Sequence, residues 1–568
     1  MRGRMRVSAG RGVGGHEVGG GLGADGGPRS IAGGGVRLRR GWRGWGVATV
    51  VVVLLGQMGA VMVWTAVRQT PTIDEPVYVA AATDYLREHR LRYNPEHPPL
   101  GKLLIAVGVA VADPHYDSAY RGTQGAVGRH LLYESGNDPW RLMLWARLPV
   151  IVLTLLCGLV VFGFARGLAG TAGGLVALGL YAFTPDVITH GSLATLDLPA
   201  TAFTLVAAWS AWKARERPRR WLPVAGVALG AAVATKMNAL AAVPVLMLLG
   251  GLAAWHAGRG RRVLGALAGA AVVAGVAIAV VWATYLVLDP RLGSAPAGAL
   301  PEAGELRGRL ADLLPLPPAF RDGMRMQFGQ EDLPWEGFLF GRLYTGARWY
   351  YLPAALLVKT PLGLLALGGA GAVALLAVRR LRPAAPYVLL PPAVLLAAAM
   401  TGSRDFGTRY ALFVPVFLAV AGGCVLRWPR RRAVPPAVLL VLWVAVSSLR
   451  TFPYYLPYAN EAYGGPARTH LLLHDSNVDW GQDLGRLAVV LRERHRGERV
   501  WLVYKGSGVP AFYGIHAADP RRVPEDQVHG VLVVSDSAAA KARGKLAGLI
   551  ASSRPVGEVG HSITLYRR

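Results

Sequence analysis

Eleven apolar stretches punctuate the chain, at 46–67, 142–165, 170–185, 196–212, 221–235, 237–255, 263–287, 352–377, 385–400, 410–426 and 434–449. A helix needs roughly 20 such residues to cross a bilayer, so the shorter stretches require flanking residues to reach across. The polar segments between them are of two kinds. Some are short and basic; three are long and mixed, at 68–141, 288–351 and 450–568. Inside the first long segment, 100–112 (LGKLLIAVGVAVA) is apolar but too short to span, which predicts an interfacial or re-entrant helix. In the last, 500–504, 531–534 and 563–566 read as strands. There 481–495 reads as an amphipathic helix with Leu484, Leu487, Val490 and Leu491 on one face. The pattern predicts a mainly α, polytopic membrane protein with a small C-terminal α/β domain. The expected units are a leader over 1–44, a transmembrane domain over 45–449 and the C-terminal domain over 450–568.

Charge orients these elements. The chain carries 61 Lys and Arg against 34 Asp and Glu, a net +27, yet only 17% of its 568 residues are charged and 53% are apolar. Soluble domains carry about 25% charge; together with a mean hydropathy of +0.34, this argues for a membrane protein over a soluble chain and excludes disorder for most of the sequence. With the N-terminus inside, the basic clusters at Arg166, 213–220, 259–262, 379–382 and 427–432 all fall on the cytoplasmic side, as the positive-inside rule requires. Asp74, Glu75, Asp84, Glu88, Glu96, Asp186, Asp197 and Asp289 fall on the other. An odd number of crossings puts 450–568 outside. The expected location is the plasma (inner) membrane, and the basic excess needs no nucleic acid to explain it. The Gly- and Arg-rich leader is expected to be disordered; it is too long and lacks a convincing cleavage site for a secretory signal, so 46–67 reads as an uncleaved signal anchor. Cys157 and Cys424 lie inside apolar runs, which leaves no disulfide framework or cysteine zinc site.

Chemistry is expected on the outer loops. In TIDEPVYVAAATDYLRE (72–88), Asp74 and Glu75 precede Pro76, the pattern of a helix start. Capping alone accounts for it; the functional reading is a general base at the outer surface, where low dielectric raises a carboxylate's basicity. In NPEHPPLGK (94–102), the two prolines make a rigid entry into the interfacial helix. Glu96, His97 and Lys102 then lie at headgroup level, either as interfacial anchors or as an anionic headgroup pocket. Lys236 sits near the middle of an apolar hairpin, where an ionisable group is a functional candidate. Asp186, His190 and Asp197 share one turn and read as loop and capping residues rather than metal ligands. Asp475, Asn477 and Asp479 have the opening spacing of a calcium loop, but Trp480 replaces the glycine and Arg486 the closing glutamate, so a turn before a capped helix is the plainer account.

The Asp-Glu pair after the first apolar stretch, followed by HPPLGK, resembles membrane glycosyltransferases of the protein O-mannosyltransferase and aminoarabinose transferase type (the GT-C fold, similar to glycosyltransferase family 39). Other pieces agree in order: ARLP at 146–149, ATLDLP at 194–199, Thr235-Lys236, WYYLP at 349–353 and LVKTP at 357–361. The segments Asn460-Glu461, GGP at 464–466 and DSNVDWGQDL at 475–484 resemble a bacterial subgroup. The similarity extends over about 45–515.

The resemblance implies a polyprenyl-phosphate sugar as donor, with attack of an acceptor hydroxyl on the anomeric carbon, inversion, and departure of polyprenyl phosphate. Asp74 matches the family's catalytic acid and is expected to be the general base, with Glu75 positioning it. The leaving phosphate calls for cations; Arg147, Lys236, Lys359, Arg404 and Arg409 are the outer-facing candidates, beside Glu96, His97, Lys102 and Asp197. Each arginine has the alternative reading of a snorkelling edge residue. Aminoarabinose-type members carry lysine where His97 stands, which favours the mannosyltransferase-like branch. No cofactor is implied outright; relatives differ in their use of a divalent metal ion. The expected partners are the lipid-linked donor, membrane lipid, and a protein, lipid or glycan acceptor. The competing readings are a multi-spanning transporter, which calls for more ionisable residues within the spans, and a polymerase or ligase for lipid-linked glycans.

Overall fold

All eleven apolar stretches fall on helices. The computed structural model describes residues 34–258, 261–293, 305–428 and 430–568, so the leader up to residue 33 lies outside the described residues. Helix α1 runs Gly34–Arg68 and therefore starts within the expected leader. The first long loop folds as α2 (Glu75–Glu88), α3 (Leu100–Ala112) and α4 (Gln124–Tyr133). Helix α5 (Pro139–Ala182) carries two of the expected stretches and is broken at Gly170, whose φ of +78° a side chain disfavours. There follow α6 (Pro185–Gly191), α7 (Asp197–Ala214), α8 (Pro218–Thr235), α9 (Ala242–Ala257, entered by a 3₁₀ turn) and α10 (Arg262–Leu288). The second long loop holds α11 (Glu305–Asp312), α12 (Pro318–Glu331) and a hairpin of β1 (Glu336–Leu339) and β2 (Arg342–Thr345). Helices α13 (Tyr351–Lys359) and α14 (Leu362–Ala377) meet at a 117° bend at Thr360-Pro361. Helices α15 (Ala385–Ala399), α16 (Phe413–Gly423) and α17 (Arg430–Thr451) complete the apolar part.

Six helices among the described residues are long and apolar enough to cross a membrane, or seven if the bent pair counts as one span. The molecule is a multi-pass membrane protein by this measure. The figure falls short of eleven for local reasons. Helix α5 joins two stretches, Asp197 and Lys213 bracket α7, Arg219 and Arg220 weigh on α8, and α16 is short. Only 11% of α1's apolar window and 17% of α10's is buried; their outward Val52, Val53, Leu264 and Leu267 suit lipid rather than protein neighbours.

Two compact units divide the chain, residues 1–49 and 50–568. In the first, the described part is the opening of α1, where Thr49 donates to the Trp45 carbonyl at 3.0 Å. The second contains every other element, the C-terminal tail included.

The tail has a short helix α18 (Thr469–Leu472), then α19 (Leu484–Arg494) and a four-stranded sheet. Strands β3 (Val500–Val503) and β4 (Val531–Ser535) are parallel; β5 (Arg554–Val559) and β6 (Ile563–Arg567) are antiparallel partners, and the order is β3-β4-β6-β5. Alternation sends Val531 and Val533 to the face covered by Leu484 and Leu487 of α19. Leu532 and Val534 face Leu546 and Leu549 of a helix over Gly544–Ala551. Three strands match expectation. Edge strand β5 has no apolar alternation to reveal it, since five of its six residues are exposed.

Candidate active site

Adjacent carboxylates at the start of α2 have different surroundings. Asp74 occupies the N-cap position, but its side chain makes no capping bond; its carbonyl accepts from Val77 and Tyr78. Glu75 is fully buried and every lone pair is addressed. It accepts from Arg147 Nε and Nη2, both at 2.7 Å, from the Thr72 amide and hydroxyl at 2.8 and 3.0 Å, and from the Ala194 amide at 2.8 Å. Burial pushes its pKa up, yet the Arg147 charge and hydrogen bonds, with the two amides, outweigh burial and hold it below the usual range.

Arg147 is equally engaged. Besides Glu75 it donates to the carbonyls of Ala66, Gln69 and Thr70 at 2.6, 3.0 and 3.3 Å. All five of its N–H donors therefore have protein acceptors. Arg147 and Glu75 together tie the end of α1, the start of α2, α5 and the turn before α7 into one knot.

Asp74 stays open. Its side chain is 26% exposed, and Oδ2 accepts from Arg409 Nη1 at 2.6 Å. The Arg409 guanidinium lies 4.4 Å from the Trp480 ring centroid and 5.0 Å from that of Tyr410. Lys236 sits over the same Tyr410 ring at 5.0 Å and forms an ion pair with Asp197. The structure thus brings together four of the expected residues, Asp74, Asp197, Lys236 and Arg409, as two buried or half-buried ion pairs about one tyrosine. Arg409, Lys236 and Asp197 line a small cleft. It shares Asn238, Leu395, Tyr410 and Phe413 with a neighbouring cavity of about 640 Å³. That larger cavity is walled by apolar side chains such as Leu240, Val243, Leu314 and Phe328, with Arg404 and Arg307 among them.

The 94–102 loop stands behind this cleft. Lys102 is buried and points back into its own loop, donating to the Asn94 and His97 carbonyls, both at 2.7 Å. Glu96 Oε1 accepts from Gln124 at 3.0 Å, while its Oε2 and His97 Nδ1 are buried without a partner. Burial, then the charges of Lys236 and Lys102, holds His97 well below its usual pKa, which favours the neutral imidazole. Helix α12 closes over the loop; at Gly323 a Cβ would collide with the Pro95 carbonyl.

The remaining candidates make no ion pair with Asp74 or Arg409. Lys359 donates to the carbonyls of Leu456 and Asn477 and pairs with Asp186 at 3.3 Å. Arg404 lines the large cavity and pairs with Glu331 at 2.7 Å and Gln330 at 2.9 Å on α12. Asp186 accepts from Thr408 at 2.7 Å, and His190 packs edge-on to Trp480. Among the described residues no group of three His, Cys, Asp or Glu side chains is placed to hold a metal ion. Trp480 is 1% exposed and stacks on Arg409.

Tyr410 and Thr408 carry no signal in the sequence, and Asn477 reads there only as part of a turn before a capped helix. Tyr410 opens the apolar stretch 410–426, where its ring reads as part of the span. Asn477 accepts from the Thr408 amide at 3.0 Å and donates to the Tyr351 hydroxyl at 2.9 Å; the dense polar run at 475–484 was the available signal.

Asp479 of that run is buried. Burial is the largest influence, Lys505 opposes it, Asp536 adds to it, and the carboxyl is pushed up to about 7. The unfolded value is about 3.9, so the folded form holds the proton more tightly. Its contribution to stability is greatest below pH ~4 and is lost as pH rises toward the folded value. Asp479→Asn is expected to raise the thermal midpoint of the detergent-solubilised protein more at pH 8 than at pH 5. An equal shift at both values overturns this.

Residues 52–289 match the family model described as dolichyl-phosphate-mannose-protein mannosyltransferase. This bears out the resemblance carried by the motifs and the reading of the chain as a glycosyltransferase. The crystal structure of ArnT from Cupriavidus metallidurans bound to undecaprenyl phosphate is similar over 91% of this chain and 97% of that one, at 14% identity and a TM-score of 0.47. The S. cerevisiae protein O-mannosyltransferase Pmt1-Pmt2 complex bound to the sugar donor matches 43% of this chain and 33% of that one, at 19% identity and a TM-score of 0.33. The Archaeoglobus fulgidus oligosaccharyltransferase in the apo form matches 79% and 58%, at 14% identity and a TM-score of 0.42. No curated protein matches the chain significantly in sequence.

Proposed function

We propose that this glycosyltransferase moves a sugar from a polyprenyl-phosphate donor to an acceptor hydroxyl on the outer face of the membrane, with Asp74 as general base. The observation that carries the reading is the contrast between two neighbouring carboxylates. Glu75 is closed by five contacts, whereas Asp74 meets one cation and solvent. A base needs an accessible lone pair, and a positioning group needs none.

The donor's chemistry fits the surrounding surfaces. A prenyl chain matches the apolar cavity, and the phosphate matches the cationic groups along it, Arg404 on the wall and Lys236 and Arg409 in the adjoining cleft. These cations stabilise the departing phosphate, which is already a stable anion and needs no strong general acid. Asp74 takes the hydroxyl proton as that oxygen bonds to the anomeric carbon and the bond from this carbon to the phosphate oxygen breaks. Arg147, Lys102 and Lys359 are assigned to the scaffold, because their donors already have protein acceptors. The eleven-crossing topology, with cytoplasmic N-terminus and outer tail, follows the distribution of basic residues.

The test supplies purified protein with labelled polyprenyl-phosphate hexose, or with labelled nucleotide sugar, in the presence of membrane and protein acceptor fractions. Transfer is expected from the lipid-linked donor alone. Transfer from nucleotide sugar alone rejects the proposal.

A further inference from the structure

The tail segment DSNVDWGQDL grips both members of the Asp74–Arg409 pair. On one side, residues 70–73, which lead into Asp74, run along 480–482. Ile73 donates to the Trp480 carbonyl at 3.0 Å and Thr70 to that of Gln482 at 3.1 Å. The Thr70 hydroxyl donates to the Gly481 carbonyl at 3.0 Å and accepts from the Leu484 amide at 3.2 Å. On the other side, residues 406–408, which lead into Arg409, run along 476–477. The Ser476 amide and hydroxyl both donate to the Phe406 carbonyl, at 3.1 and 2.6 Å, and Asn477 accepts from the Thr408 amide at 3.0 Å. Gly407, at φ +151°, leaves no room for a Cβ against the Ser476 hydroxyl. Between the two grips stands Trp480, packed against Leu193 and Leu456, with its ring on the Arg409 guanidinium. Arg409 Nε is buried without a hydrogen-bond partner, so the position of the cation rests on Asp74 and on its contacts with the Trp480 and Tyr410 rings.

We propose that 475–484 is a two-sided clamp that fixes the separation and angle of Asp74 and Arg409, and that Trp480 is its positioning residue. This rests on the assignment of Asp74 as base and adds a task for the tail. Neither residue of the pair lies in a regular element that could fix it alone. Asp74 is the last residue before α2, and Arg409 lies in a single 3₁₀ turn. The segment that joins them is distant from both in sequence, so the tail is part of the active-site wall.

Small displacements of catalytic groups cost about a hundredfold, so the clamp is expected to act on turnover more than on donor binding. Trp480→Leu and Asn477→Ala are compared with wild type and with Trp480→Phe. The expected result for the first two is a kcat reduced about ten- to hundredfold, with donor KM held within about twofold. Trp480→Phe, which keeps an aromatic face, recovers most of the loss. Amide exchange over 70–75 and 406–410 quickens in both disrupted variants. A folded Trp480→Leu with unchanged kcat, or a loss confined to donor KM, overturns the clamp. Should Trp480→Leu fail to fold, Asn477→Ala, which leaves the indole in place, decides by the same criteria. Asp74→Asn is measured alongside. If it stays active, the base assignment falls while the exchange readout still judges the clamp. If it is inactive and the clamp variants turn over normally with wild-type exchange, the clamp alone falls.

Discussion

Replacing Asp74 with asparagine is expected to lower turnover about a hundred- to ten-thousandfold while leaving the protein folded. The range is that of a lost general base, roughly 3–5 kcal/mol on the barrier. Folding survives for reasons visible at the site. The Asp74 side chain makes no capping bond to α2, so the helix start does not depend on its charge. Asparagine keeps an oxygen of the same reach for Arg409, and Arg409 keeps Trp480 and Tyr410 against its faces. The measurement is single-turnover transfer from labelled polyprenyl-phosphate hexose, set beside the thermal midpoint in detergent. An Asp74→Asn protein that turns over within a few-fold of wild type removes Asp74 from the chemistry. Glu75→Gln is expected to fail differently. Its carboxylate is enclosed, so an amide in its place turns its NH2 toward the Arg147 guanidinium and toward either the Thr72 or the Ala194 amide. The damage then reads first as instability.

The contrast between these residues shows what the sequence made legible and what it did not. The apolar stretches announced their helices because length and composition alone define a segment that suits a bilayer. Pro76 after the acidic pair announced the start of α2, and LGKLLIAVGVAVA announced α3, which is helical and too short to span. The assignment of cations was harder. Arg147, Lys102 and Lys359 looked as suited to phosphate as Arg409, because the acceptors that engage them are main-chain carbonyls of Ala66, Gln69, Asn94, His97 and Leu456. A backbone carbonyl leaves no trace in residue identity. The hairpin at 336–345 hid for a related reason. Its turn uses Phe340 at φ +49° beside Gly341, and aromatic residues there carry no turn signal. The tail motif was visible as a dense polar run, but its role needed the pairing of 480–482 with 70–73, some four hundred residues away.

Arg147→Met is expected to destabilise the protein by about 3–5 kcal/mol, the usual cost of removing one partner from a buried ion pair. The cost arises because Glu75 keeps its burial and loses its main source of compensation. A double variant with Glu75→Gln should lose less than the two single changes together, by on the order of 1 kcal/mol or more, as contacting residues in one network do. The pH dependence sharpens the test, because its sign reverses. In the wild type the Glu75 pKa is depressed. Its stabilising contribution is therefore present above the ordinary glutamate value of about 4.3, and it is lost as pH falls through the lower folded value. In Arg147→Met, burial acts on Glu75 with less opposition and raises its pKa, so that group's contribution falls as pH rises through the carboxylate range. Thermal midpoints from about pH 3 to 7 separate the two slopes, the wild-type loss falling at the acid end of that window. If Arg147 instead held donor phosphate, Arg147→Met would melt like the wild type and show its defect in donor KM; the knot of five donors around Glu75 argues that it will not.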